Sequence, residues 1–284
     1  MKSLRKLGAL VAVAGVAALA ALPTGSGAQG EDVPFITTPD NVTVAMLTLA
    51  EVGPTDRVLD LGSGDGRIVI TAARRFGARG LGVEIVPDLV QRSRAAAVAA
   101  GVADRARFVE QDLFATDLSG ASVITMYLLP EVNLQLRPRL LALAPGTRIV
   151  SHDWDLGDWA PDRTWVLPAP DKPIGREKLS RLHLWWVPAA AGGLWCGPLG
   201  QRLALQQRFQ HVEGRWLAPL DGQPVQGDGT IDARPGEQVT GVQGRLRGHA
   251  LTLHGADGRT LSVDLARPAP WRRSEGGRCP QGSG

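Results

Sequence analysis

The segment Asp60-x-Gly62-x-Gly64-x-Gly66 follows a short apolar run from Val58 and leads straight into a helical stretch from Arg67 to Phe76. A turn stripped of Cβ atoms in this way lets backbone approach a ligand closely, so it closes a strand and opens a helix over a binding crevice. Its surroundings repeat the strand–helix theme. The pattern predicts a helix over Thr43 to Glu51, capped by Asp40 or Asn41, and further helices over Pro87 to Ala100 and Pro130 to Ala144. Strands are predicted over Arg57 to Leu61, Gly80 to Glu84, Arg107 to Glu110, Ser122 to Tyr127 and Thr147 to Ser151. Strands alternating with helices predict an α/β fold of Rossmann-like type, a largely parallel sheet with helices on both faces. Ligands of such sheets bind at the carboxyl ends of the strands. Asp60, Glu84, Asp112, Tyr127 and His152 fall at those ends.

The composition changes after Pro188. Ala189 to Gly193–Leu194 reads as a linker, and the remainder is strand-like: Arg202 to Gln207, Gln238 to Leu246, Ala250 to His254 and Thr260 to Leu265, with a tight turn at Ala256-Asp-Gly258. The expected organisation is a first domain over 33–188 and a small all-β domain over 195–272, followed by a frayed Gly-rich tail over 273–284. All eight tryptophans stand at or after Trp154, which assigns the aromatic core to the second half of the chain.

The N-terminus is set apart from both. Lys2, Arg5 and Lys6 precede an apolar run from Leu7 to Leu22, and Ser26-Gly27-Ala28 offers a cleavage site. This is the anatomy of a secretory signal peptide over 1–28. The run is shorter than the roughly 20 residues of a spanning helix, with an uncleaved anchor as the alternative. Either reading places the body outside the cytoplasm, as an exported, periplasmic protein with possible membrane proximity; a misread segment would leave it cytoplasmic. The three basic residues of this segment account for the whole formal charge of +3, so the rest is formally neutral and no basic run argues for nucleic acid. Cys196 and Cys279, the two cysteines, read as a disulfide in an exported chain and as free thiols in a cytosolic one. No Cys-x-x-Cys or Cys/His spacing suits a metal.

A glycine turn of this kind could also serve a dinucleotide, whose third glycine would stand where Arg67 does. Asp60 decides against it, because a carboxylate beside the loop suits a ligand's ammonium and repels a pyrophosphate. S-adenosylmethionine (SAM) carries such an ammonium. Glu84, ending the second strand, suits two ribose hydroxyls. Asp112 is placed to accept from an adenine amino group, with Leu113 and Phe114 packing on the ring; its alternative role is a helix cap.

Pro34-Phe35-Ile-Thr-Thr-Pro39, the run from Val58 to Ile70, Gly82-Val-Glu84 and Ser93-Arg94 resemble the protein-lysine methyltransferases of mitochondria and their bacterial relatives, which belong to the class I, seven-strand methyltransferases. The resemblance covers roughly residues 33 to 155. It implies SAM as cofactor, with Thr37, Thr38 and Pro39 near its methionine end. Asp60, Gly62, Ser63, Gly64 and Gly66 would form the cofactor loop, with Glu84 on the ribose and Asp112 and Leu113 at the adenine. The segment Met126-Tyr-Leu-Leu-Pro-Glu131 lacks the Asn-Pro-Pro-Tyr motif of amide and adenine methylases, so a protein lysine as acceptor follows from kinship.

An acceptor amine must lose a proton before it attacks. Tyr127, Glu131, His152 and Asp153 are the candidates at the strand ends. Their bland roles are a core tyrosine, a partner for the helix dipole and polar loop residues. No nucleophile elbow supports a Ser–His–Asp hydrolase. Export separates the chain from cytosolic SAM, which leaves a second reading: an exported nucleoside-binding or protein-interaction module with this fold and little catalysis.

Overall fold

The structure, a computed structural model, describes residues 35–219 and 237–279; the segment expected as a signal peptide lies outside them. Helix α1 (Asp40–Leu49) leads to β1 (Arg57–Leu61), and α2 (Arg67–Phe76), β2 (Arg79–Glu84), α3 (Pro87–Ala99) and β3 (Ala106–Glu110) follow. After a single 3-10 turn at Leu113–Ala115 come β4 (Val123–Met126), α4 (Pro130–Leu141), β5 (Arg148–His152), β6 (Arg163–Pro168) and β7 (Leu179–Trp186). These strands form one seven-stranded sheet in the order β3-β2-β1-β4-β5-β7-β6. The first five are parallel, whereas β7 runs antiparallel to both β5 and β6. The order reverses at β1–β4, which opens the crevice where ligands of such sheets bind.

Alternation along each strand sorts the core into two layers. Val58, Val123 and Val150 pack with Val42, Met46, Leu47 and Ile68 of α1 and α2. Leu59, Leu61, Ile124, Met126 and Ile149 pack on the other face with Leu136 and Leu140 of α4. Asp60 and Thr125 share the parity of Val58 and Val123, so they fall on the face of α1 and α2.

One expectation needs correction. The cap of α1 is neither Asp40 nor Asn41: the helix starts at Asp40 behind Pro39 without a side-chain cap, and the Asn41 amide instead donates to the Pro168 carbonyl. Strands β6 and β7 complete the seven-strand sheet that the resemblance implied; β6 is exposed along most of its length, whereas β7 alternates from Leu179 to Leu184. Trp159 and Trp185, both in the second half of the chain, are fully buried in the α4-side layer of the first sheet, where the Trp185 indole donates to the Trp159 carbonyl.

The second sheet is antiparallel throughout, in the order β13-β12-β11-β10-β9-β8-β14. It comprises β8 (Gly193–Cys196), β9 (Arg202–Arg208), β10 (His211–Pro219), β11 (Glu237–Arg247), β12 (Ala250–Gly255), β13 (Thr260–Asp264) and β14 (Arg272–Arg273). The stretch expected as a linker is held rather than free, since the Gln207 side chain accepts from the Ala191 and Gly192 amides and donates to the Ala189 carbonyl. In the stretch expected to fray, β14 pairs with β8 and a disulfide joins Cys196 to Cys279. The two sheets meet through Arg247, whose guanidinium lies 3.7 Å from the Trp186 ring centroid and is ion-paired to Glu51, and through Arg245 with Asp162.

Candidate cofactor and acceptor site

The glycine turn uses its three glycines differently. Gly62, Gly64 and Gly66 all have positive φ, at 73°, 52° and 80°, which side chains rarely tolerate. A Cβ on Gly66 would lie 2.6 Å from the Phe108 ring and the Ser93 Cβ, so this glycine permits helix–sheet contact rather than ligand approach. Gly66 thus fills the close-packing role that the dinucleotide pattern would have placed at 67. A Cβ on Gly62 would meet the Leu128 side chain at 2.9 Å.

The turn has little left for an anion. The amides of Gly62 and Ser63 both donate to the Val83 carbonyl, and the Gly64 amide donates to Glu84 Oε2. Asp65 accepts from the Arg67 amide at the start of α2, and the Arg67 guanidinium forks onto the same carboxylate. A pyrophosphate site needs free N–H groups here. Instead carboxylates line the crevice, and a cationic ligand suits them. The Ser63 hydroxyl is buried against Gly82 and has no hydrogen-bond partner among the described residues.

Asp60 sits beneath the turn, 2% exposed, and accepts from the Thr125 hydroxyl at 2.7 Å. Burial pushes its carboxyl up to about 7; Asp65 and Glu84 add to that push, and the Thr125 hydrogen bond opposes it. A buried acid flanked by two more acids is the natural neighbour of an ammonium. Glu84, at the tip of β2, is buried, and its Oε1 accepts from the Ile85 and Val86 amides. Asp112 is exposed beyond the tip of β3 and caps the following turn by accepting from the Phe114 amide, with half-buried Leu113 beside it. The bland role foreseen for Asp112 is therefore present, and its second carboxylate oxygen makes no hydrogen bond among the described residues.

The Thr37–Pro39 segment lies across the crevice. Arg67 donates to the Thr38 carbonyl at 2.9 Å, and the Thr38 hydroxyl is hydrogen-bonded to His152 Nδ1 at 3.2 Å. Thr37 is half-buried, and Pro39 is buried at the start of α1. These residues fit the cofactor: a glycine-rich turn, an acidic base, a β2-tip carboxylate and a covering segment.

Beyond Thr38 the strand ends gather a second cluster. His152 is fully buried between the Thr38 and Ser180 hydroxyls, the latter 2.8 Å from Nε2. Burial lowers its pKa to about 4, so the ring is neutral near pH 7; Asp153 opposes the shift and Lys172 adds to it. Its face lies 3.9 Å from the Tyr127 ring, centroid to centroid. Asp153 has a left-handed backbone (φ 64°), held by hydrogen bonds from its amide to the Arg181 carbonyl and from the Arg181 amide to Oδ1. That strained posture turns Oδ2 toward the Tyr127 hydroxyl at 3.3 Å and the Lys172 ammonium at 2.7 Å. Burial opposes the charge on Asp153, yet the Lys172 hydrogen bond and the Arg181 amide hold its carboxyl below the ordinary range. Burial and the Asp153 charge push the Tyr127 phenol upward, so it keeps its proton.

Three of the four candidates at the acceptor end thus converge. Glu131 does not join them: it is exposed in the first turn of α4, without a hydrogen bond or ion pair among the described residues, where its charge complements the helix dipole. Thr125, Lys172 and Ser180 are site residues beyond those expected from the sequence. Lys172 lies in an irregular stretch that offered no pattern, and Ser180 is on β7, outside the expected strands. Among the described residues no cluster of His, Cys, Asp or Glu suits a metal ion.

A family model for the ANTKMT methyltransferase domain matches residues 60–163. A protein-lysine N-methyltransferase of Saccharolobus islandicus is 44% identical over 131 residues, covering 45% of this chain and 81% of that protein. The adenine nucleotide translocase lysine N-methyltransferase of Mus musculus is 36% identical over 124 residues, covering 40% of this chain and 54% of the relative. Among solved structures, an RNA methyltransferase from Salinibacter ruber in complex with S-adenosyl-L-homocysteine superposes with a TM-score of 0.50 at 50% identity, covering 55% of this chain and 96% of that one.

Proposed function

The chain belongs to the family of SAM-dependent protein-lysine N-methyltransferases, and on that premise we propose that it transfers the methyl group to the ε-amine of a lysine in a protein or peptide. When bound, SAM supplies a sulfonium methyl that is already activated, so the chain's task is to orient, desolvate and manage one proton. Asp60 and the turn would hold the amino-acid end, Glu84 the ribose and Asp112 with Leu113 the adenine.

One observation carries the choice of a lysine acceptor. At the acceptor end, Asp153 already holds an ammonium, that of the chain's own Lys172, 2.7 Å from Oδ2, and the Tyr127 hydroxyl donates to the same oxygen. A carboxylate kept ionised attracts an acceptor ammonium and offers its proton a route to water. The neutral phenol of Tyr127 stays in hydrogen-bond reach of that carboxylate. His152, neutral and tied to Thr38 and Ser180, is a positioning residue that keeps the Tyr127 ring and the covering segment in place.

The N-terminal basic and apolar segment, together with the Cys196–Cys279 bridge, supports an exported location, because such bridges persist in oxidising compartments. An intact acidic crevice joined to a proton-handling cluster favours catalysis over a module that only binds.

The test is methyl transfer from isotopically labelled SAM to a lysine-rich test polypeptide, followed by hydrolysis and amino-acid analysis. Label in methylated lysine is the expected result. Label confined to amides or to an RNA control would refute the assigned acceptor.

A further inference from the structure

At the opposite end of the first sheet, away from the glycine turn, the strands begin with arginines. Arg57 opens β1 and Arg79 opens β2, and the two are register partners in the parallel pair. Arg107 of β3 stands opposite Leu81, which is itself the partner of Leu59. Side chains of one parity share a face, so Arg57, Leu59, Arg79, Leu81 and Arg107 all project to the α4 side. The connection from β3 to β4 contains only the three-residue turn Leu113–Ala115, and there the sheet face opens into a cavity of about 430 Å³. Leu59, Leu81 and Ala121 line it together with Arg57, Arg79 and Arg107.

The three guanidinium groups are exposed and have no hydrogen bond or ion pair among the described residues. Arg105, also on the rim, reaches Asp104 only at 3.6 Å, and its buried Nε has no hydrogen-bond partner. Asp104 and Asp117 are the acids on this rim, and Asp117 is engaged with the Ser119 amide. Like charges set opposite each other on neighbouring strands destabilise a sheet. Other arginines are paired, Arg67 with Asp65, Arg148 with Asp56 and Arg245 with Asp162, while Arg74, Arg75 and Arg92 stand alone among the described residues, on helix surfaces away from this cavity. An unpaired arginine rim over an apolar floor is the arrangement of an anion site, because the guanidinium fork matches phosphate oxygens. The volume falls within the range of small-ligand pockets.

We propose that this cavity is a second binding site, separate from the cofactor crevice, for a small phosphate-bearing molecule with an apolar body. The phosphate sits among Arg57, Arg79 and Arg107, and the body lies against Leu59 and Leu81. The site requires nothing of the acceptor chemistry, so it stands or falls independently of the lysine assignment.

Calorimetric titration of the full chain tests it, with phenyl phosphate, inorganic phosphate and a short single-stranded oligonucleotide as probes. Phenyl phosphate should bind saturably and at least about tenfold more tightly than inorganic phosphate, since the ring adds buried apolar area. Arg79→Gln with Arg107→Gln should weaken phenyl phosphate at least about tenfold, the effect of losing roughly 1.4 kcal/mol. Their affinity for S-adenosylhomocysteine should not change, which also reports that the variants are folded; the single Arg107→Gln variant on the edge strand serves if the double variant is not. Failure of phenyl phosphate to saturate at millimolar concentration, equal affinity for inorganic phosphate, or undiminished binding by the variants would each overturn the proposal. So would binding of the oligonucleotide alone, which would make this face a polyanion track.

Discussion

The Thr38 hydroxyl and the His152 imidazole are hydrogen-bonded at 3.2 Å across 114 residues of chain. That contact joins two halves of the site. On one side Thr38 is tied through Arg67 to Asp65 in the glycine turn; on the other, His152 lies against Tyr127, whose hydroxyl donates to Asp153. The covering segment and the acceptor cluster are therefore one hydrogen-bonded unit. Replacing Thr38 by Val keeps the volume and removes the link. Cofactor affinity and the rate of methyl transfer should then fall together, whereas a purely local role would change only affinity.

Cofactor binding should depend on the ionisation of Asp60. With its carboxyl pushed up to about 7, the acid is largely protonated at pH 6 and ionised at pH 8. Affinity for S-adenosylhomocysteine, whose amino group is cationic over this range, should rise with pH through about 7. Asp60→Asn should bind weakly and with a flat profile. Calorimetry between pH 5.5 and 8.5 reads both.

The same groups set opposing stability trends in the ligand-free chain. Asp60 is raised from 3.8, so its contribution is full below pH 4 and is lost as pH rises toward about 7. His152 is lowered from 6.5 to about 4, so its contribution is present above pH 6.5 and is lost as pH falls toward 4. His152→Gln should flatten the acid-side loss, and Asp60→Asn the loss toward neutral pH. Urea midpoints measured across pH 4 to 8 distinguish them, and unchanged slopes in both variants would contradict the burial argument.

Gly66→Ala should destabilise the first sheet by about 2–4 kcal/mol, combining left-handed strain with overpacking. The added carbon would fall 2.6 Å from Phe108 and Ser93. Gly101→Ala supplies the control, since Gly101 has φ 69° but open space, and should cost only about 1 kcal/mol. Denaturant unfolding of the pair separates backbone strain from crowding.

Asp153→Asn should lower kcat/KM for a lysine-rich polypeptide by about 10²-fold or more if the carboxylate manages the acceptor proton. Lys172→Met should act differently. It vacates the ammonium position on Asp153, so KM for the polypeptide should fall while kcat changes little. A rise in KM would show that Lys172 holds the loop rather than standing in for an acceptor.

Reduction should loosen the β domain. The Cys196–Cys279 bridge closes a loop with a sequence separation of 83 and ties the chain beyond β14 to β8. Chain-entropy arguments assign such a loop about 4 kcal/mol. Cys196→Ser should lower the thermal midpoint in oxidising buffer and leave it unchanged in reductant.

The elements with local signals were legible in the residues. Glycines at 62, 64 and 66 with Asp60 before them announced the turn, period-2 and helical patterns announced β1 to β5 with α1 to α4, and Glu84 and Asp112 announced the neighbouring strand tips. The rest depends on packing between distant segments, which no local signal records. Gly66 faces Phe108 rather than a ligand, Ser63 turns inward onto Gly82, and Glu131 stays in solvent away from the acceptor cluster. Lys172 and Ser180 come from an irregular stretch and a late antiparallel strand, so no spacing could place them beside Asp153 and His152. The arginines at 57, 79 and 107 are scattered along the chain, and strand register alone brings their charges to one face.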